Sequence, residues 1–142
     1  MPLLTEEVAS QLREEFKALK DPVRIVVFSQ ALADPASEQV ARMAEELALL
    51  EPRIKVEAAN YVLDTDKVEA LGIRRTPAVA VMGESKDYGI RLYGLPTGYE
   101  FGTFIDAILD VSQGESQLAE ETKTALAALE KPVHIQVFST PT

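Results

Sequence analysis

The apolar positions of this chain change period several times, and each change marks an element. Thr5 is a hydroxyl cap followed by Glu6 and Glu7, and Val8, Leu12, Phe16 and Leu19 then recur at helical spacing until Asp21-Pro22 stops the run. Val23 to Phe28 is apolar on both faces apart from Arg24, as a buried strand requires. Asp34-Pro35 opens a second helix through Val40, Met43, Leu47 and Leu50 to Glu51-Pro52, with proline where its missing N–H does no harm. Arg53 to Ala59 alternates Ile54, Val56 and Ala58 against Arg53, Lys55 and Glu57, which predicts a half-exposed strand. Asp64 is expected to cap a short helix containing Val68 and Leu71, closed by Gly72. Ala78–Met82 and Ile90–Tyr93 are strands joined by a polar connection from Gly83 to Asp87. A helix follows Gly98, with Phe101, Phe104, Ile105, Ile108 and Leu109 on one side, and Ser112-Gln113-Gly114 is expected to break it. A last helix, about Leu118 to Leu129, leads to a strand from Val133 to Phe138.

The order is α-β-α-β-α-β-β-α, followed by a further α-β. A βαβ pair, a helix and a hairpin together predict an α/β fold: a mixed four- or five-stranded sheet with helices on both faces. The final α-β is a repeat of the start. Leu19–Ser29 reads LKDPVRIVVFS and Leu129–Ser139 reads LEKPVHIQVFS, so Leu, Pro, Val, Ile, Val, Phe and Ser recur in step. A unit repeated at fixed spacing folds as the same supersecondary structure twice. Residues 1–114 are therefore expected to form one unit, and residues 115–142 a linking helix and the first strand of a second. Left without that unit, the apolar strand Val133–Phe138 would expose an edge that favours association, so a homo-oligomer through it is expected.

Charge and composition remove several classes of function. A formal net charge of −9 argues against nucleic acid, because phosphate recognition needs a basic footprint. The only adjacent basic pair in the body of the chain is Arg74-Arg75. One histidine and no cysteine leave no zinc site and no thiol nucleophile, and no cofactor is implied. His134 alternates with Val133 and Ile135 and has no acid at catalytic spacing. Gly94, Gly98 and Gly102 lack the Gly-Lys-Ser/Thr of a phosphate loop and read as turns and a helix start. No apolar run reaches the roughly 20 residues of a membrane helix. The N-terminus carries acids where a signal peptide carries bases, so a cytoplasmic protein is expected.

The element order resembles the thioredoxin-like layout. In that layout Thr76-Pro77, directly before a hairpin strand, stands where a cis-proline lies beside the active-site turn. Proline offers no N–H, and the neighbouring backbone can pair with an extended peptide, so Thr76 and Pro77 are the candidate substrate-binding residues. The turn after Phe28 is where such a fold keeps Cys-x-x-Cys at a helix N-terminus, which lowers a thiol's pKa. Ala33 and Ala36 occupy those positions, and neither can carry thiolate chemistry. No catalytic residue is expected in this chain.

Leu71–Pro77 (LGIRRTP), Tyr93–Phe101 (YGLPTGYEF), Asp110–Gly114 (DVSQG) and Lys131–Thr142 (KPVHIQVFSTPT) together resemble the tandem-thioredoxin-fold protein disulfide oxidoreductases of thermophilic archaea and bacteria, also called glutaredoxin-like. In that family the last stretch runs into Cys-Pro-Tyr-Cys. The resemblance implies a redox-inactive N-terminal unit whose partners are a second thioredoxin-like unit bearing the cysteines and polypeptide substrates of thiol–disulfide exchange. The N-terminal arm of peroxiredoxin reductases is similarly built. A stand-alone peptide-binding module that uses the Thr76-Pro77 groove is the alternative from another class.

Overall fold

The computed structural model describes residues 1–30 and 34–140. In chain order the elements are α1 (Glu6–Glu15), β1 (Val23–Ser29), α2 (Pro35–Leu50), β2 (Ile54–Asn60), α3 (Thr65–Leu71), β3 (Ala78–Gly83), β4 (Ile90–Tyr93), α4 (Tyr99–Gln113) and α5 (Glu120–Ala127), with a 3-10 turn over Phe16–Ala18. The strands form one mixed sheet in the order β2-β1-β3-β4. β1 runs parallel to β2, from Val23 opposite Ile54 to Ser29 opposite Asn60. The β1–β3 and β3–β4 ladders are antiparallel. Of the two sheet sizes the pattern allowed, the described residues form the four-stranded one.

Each face of the sheet has its own core, because side chains of adjacent strand residues point to opposite sides. On one face Val23, Ile25, Val27, Val79 and Val81 meet Leu12 and Phe16, α2 through Val40, Met43 and Leu47, and α4 through Phe104, Ile105 and Ile108. On the other, Val26, Phe28, Ala78, Ala80 and Met82 meet Ile73, with Val68 and Leu71 of α3 packed alongside. β1 and β3 are covered on both sides, which is why both read as unbroken apolar runs.

Several boundaries differ from the sequence expectation. Thr5 caps α1 as expected, its hydroxyl accepting from the Val8 N–H at 3.3 Å. The α-helix ends at Glu15, well before Asp21, and tightens into the 3-10 turn that still buries Phe16 and delivers Leu19 to the core. In β2 the expected alternation fails at its end: Ala58 is exposed and Ala59 is buried against the α3 face. β2 is an edge strand, and which of its residues are covered depends on how far each helix layer reaches. Asp64 does not cap α3 through its side chain; its carboxylate accepts from the Asn60 N–H at 2.6 Å. Gly72 closes α3 in the left-handed conformation (φ +65°), as expected.

Ser112 does not break α4. The helix continues to Gln113 and stops at Gly114, whose φ is +72°. Ser112 is fully buried, and its hydroxyl accepts from the Lys20 N–H and donates to the Asp21 carbonyl, both at 2.8 Å. The segment expected to be a strand, Val133–Phe138, belongs to no ladder among the described residues. Val137 and Phe138 are 84% and 88% exposed. A strand is a pairing, and apolar alternation creates one only where a neighbour supplies the hydrogen bonds. α5 likewise buries no residue. At the other end of the chain the Glu46 carboxylate on α2 accepts from the Leu3 and Leu4 N–H groups at 2.7 and 2.8 Å, which stitches the first residues to the body.

Candidate functional site

The ladder register fixes where the candidate residues meet. Phe28, one residue before the end of β1, pairs with Ala78, the first residue of β3, which itself pairs with Tyr93 at the end of β4. The end of β1, the loop 72–77 and the segment after Tyr93 therefore converge on one end of the sheet. The Gly94 N–H donates to the Pro77 carbonyl at 2.9 Å, tying two of these loops together. Pro77 is buried and Thr76 is half-buried, and the peptide between them is cis.

Two tyrosines set the shape of the loop. The Tyr61 hydroxyl donates to the Arg74 carbonyl at 3.1 Å, and the Arg74 N–H donates to the Tyr93 hydroxyl at 3.3 Å. The Tyr93 hydroxyl in turn donates to the Gly72 carbonyl at 3.4 Å. The Arg75 guanidinium lies 4.7 Å from the centroid of the Tyr93 ring, a cation–π contact. Neither tyrosine was singled out in the sequence, because β4 and the end of β2 are brought to this loop only by the strand order. Among the described residues no hydrogen bond is made to the Thr76 backbone N–H or C=O.

At the start of α2, Ala36 lies in the first turn, and Ala33 lies outside the described residues. Asp34 is the cap: its carboxylate accepts from the Ala36 N–H at 3.2 Å and from the Ser37 hydroxyl, and Ser37 is buried. The hydrogen bond from Ser37, more than any other contact, holds the Asp34 carboxyl below its ordinary value. This helix N-terminus already has its anion. The positive end of α2, which would favour a thiolate, faces the Asp34 carboxylate instead. Ala36 supplies no nucleophile there, and the Asp34 carboxylate caps the helix end. Among the described residues no group of three or more His, Asp or Glu side chains could hold a metal ion. No described helix is long and apolar enough to cross a membrane.

Other charged groups near the sheet are engaged structurally. Glu57 on β2 is held low by Lys67 and then by Arg24, which it meets at 3.1 Å. Asp87 is held low by Arg91, at 2.5 Å, and the Arg91 side chain also donates to the Leu71 carbonyl at 2.9 Å.

No protein-family model matches the chain. It is 31% identical over 119 residues, 84% of its length, to an NADH dehydrogenase of Ferdinandcohnia aciditolerans, of which it covers 20%. Among solved structures it is similar to the N-terminal domain of alkyl hydroperoxide reductase AhpF from Enterococcus faecalis, at 26% identity and a TM-score of 0.80, covering 90% of this chain and 62% of that one. It is also similar to a protein disulfide oxidoreductase from Aeropyrum pernix, at 27% identity and a TM-score of 0.76, over 88% of this chain and 55% of that one. The fold is thus thioredoxin-like. The chain spans 19–24% of the length of the curated relatives it matches.

Proposed function

We propose that this chain is the redox-inactive N-terminal thioredoxin-fold unit of a protein disulfide oxidoreductase. It docks against a cysteine-bearing second unit and helps to hold disulfide-bonded or unfolded polypeptide, in the cytoplasm. The observation that carries this reading is the start of α2. The fold keeps the helix end that elsewhere activates a cysteine, but gives it the Asp34 carboxylate and Ala36. The intact half of the machinery is the Thr76-Pro77 loop, where an unpaired backbone can take an extended peptide. Residues 115–142 lead into the second unit, and Val133–Phe138 find their ladder there; a chain without that unit associates through them.

The similarity to the AhpF domain over 90% of this chain supports a second reading, the N-terminal arm of a peroxiredoxin reductase. The deciding measurement is the intact mass and thiol count of the native gene product. A mass well above 15.5 kDa with two reactive thiols supports a silent unit within a larger reductase. A 15.5 kDa product without thiols refutes it and leaves a binding module. Thiol–disulfide exchange by the isolated chain is expected at the buffer rate, and turnover above it would contradict the assignment.

A further inference from the structure

The two arginines of the candidate loop have no carboxylate partner among the described residues. The other arginines all find an oxygen: Arg13 near Glu6, Arg24 on Glu57, Arg42 on the Met1 carbonyl, Arg53 on Glu51 and Arg91 on Asp87. The side chains of Arg74 and Arg75 find none among the described residues, although the chain carries 23 acids against 14 lysines and arginines. Both are exposed, and they immediately precede Thr76, whose backbone is unpaired.

Their backbone and one side chain are nonetheless held. Arg74 is bonded on both sides, its N–H to Tyr93 and its carbonyl to Tyr61, so its guanidinium starts from a fixed point. Arg75 lies over the Tyr93 ring, which restrains the side chain while leaving its N–H donors free. A guanidinium offers a planar fork of donors that matches a carboxylate, and a restrained one loses less entropy on pairing. Two such forks sit next to a free backbone segment in a strongly acidic protein.

We infer that Arg74 and Arg75 make this loop selective for acidic polypeptide: an extended segment paired to the Thr76 backbone, with Asp or Glu side chains reaching the two guanidinium groups. The inference rests on the polypeptide-binding reading above and narrows its substrate class. Side chains on one face of an extended segment recur at every second residue, roughly 6.5–7 Å apart, so a peptide with acids at alternate positions presents a row of carboxylates to the loop. Two solvent-exposed ion pairs correspond to roughly a two- to thirtyfold preference for acidic over neutral peptide. Screening limits their reach to about 8 Å at physiological salt, so the preference is local to the loop and is not set by the net charge.

The test uses the chain as it stands and fluorescence anisotropy of three labelled peptides of about ten residues. Each alternates threonine with glutamate, glutamine or lysine, and none contains cysteine. The glutamate peptide should bind about fivefold more tightly than the glutamine peptide, with the lysine peptide weakest. Arg74→Gln/Arg75→Gln should abolish the difference between the glutamate and glutamine peptides. Equal binding of the glutamate and glutamine peptides would overturn the inference and leave the polypeptide-binding reading intact. A preference that survives the double substitution would overturn it as well. Failure of all three peptides to bind would remove both.

Discussion

Replacing Ser112 with alanine should cost about 2 kcal/mol, a large loss for a hydroxyl on a helix. The side chain is fully buried and bridges α4 to the loop before β1, accepting from the Lys20 N–H and donating to the Asp21 carbonyl, each at 2.8 Å. Alanine removes both bonds. It retains the third link, from the Asp21 N–H to the Ser112 carbonyl at 3.2 Å. Each lost bond is worth about 1 kcal/mol net, and orphaning both backbone partners away from water would raise the total to roughly 2–6 kcal/mol. Lys20 and Asp21 are themselves exposed, so water can reach their backbone and the lower end applies. For a chain of 142 residues the unfolding entropy is about 0.3 kcal/mol/K, so Tm should fall by about 7 °C. The assay is urea unfolding followed by far-UV circular dichroism, since the chain has no tryptophan. The midpoint should shift with the slope unchanged, because the surface buried on folding hardly changes. Ser116→Ala, at an exposed position, is the control and should change stability by less than about 0.5 kcal/mol. A loss in Ser112→Ala no larger than in that control would refute the bridge.

Three other outcomes follow from the same geometry. Gly72→Ala should destabilise by about 1 kcal/mol in the same urea assay, because φ is +65° there while no atom lies within 4 Å of an added Cβ; the cost is backbone conformation alone, and a neutral result would contradict it. Glu57, Glu51 and Asp87 all titrate below their ordinary values through bonds to Lys67, Arg53 and Arg91 respectively. A depressed carboxylate contributes stability that is complete above its unfolded pKa and is lost as pH falls through the folded one, so the urea midpoint should be level from pH 7 to about 5 and decline below it. A midpoint that rises on acidification would reverse this sign. Finally, a thiol placed by Ala36→Cys should react slowly with a disulfide reagent at neutral pH, and adding Asp34→Asn should speed it severalfold by removing the carboxylate that opposes thiolate formation. Equal rates would show that Asp34 does not set the field at that helix end.

How much of this could be read from the sequence varied with the range of the forces involved. β1 and β3 are legible because strands covered on both faces must be apolar throughout, and Asp34-Pro35 is legible because a cap and a proline act within one turn. The loop at Thr76-Pro77 could be located, yet what shapes it could not: Tyr61 comes from the turn after β2 and Tyr93 from the end of β4. Ser112 was misplaced for a related reason. Its role depends on residues about ninety positions away, whereas locally it is only a polar residue before a glycine. Ala58 and Ala59 differ in burial by the reach of the layers above an edge strand, which period-two alternation does not encode. The apolar stretch Val133–Phe138 has every intrinsic preference of a strand, and still makes none without a partner.

The tyrosines that frame the loop have an optical consequence. The chain has four tyrosines and no tryptophan, and two of the four, Tyr61 and Tyr93, bond directly to the backbone between Gly72 and Arg74. Tyr93 also carries the Arg75 guanidinium on its ring. No indole competes with their near-ultraviolet emission, so half of the intrinsic chromophores report on a single loop. Anything that draws Arg75 away from the ring, or breaks a phenol hydrogen bond, changes the light this protein emits, and the loop can be followed without a label.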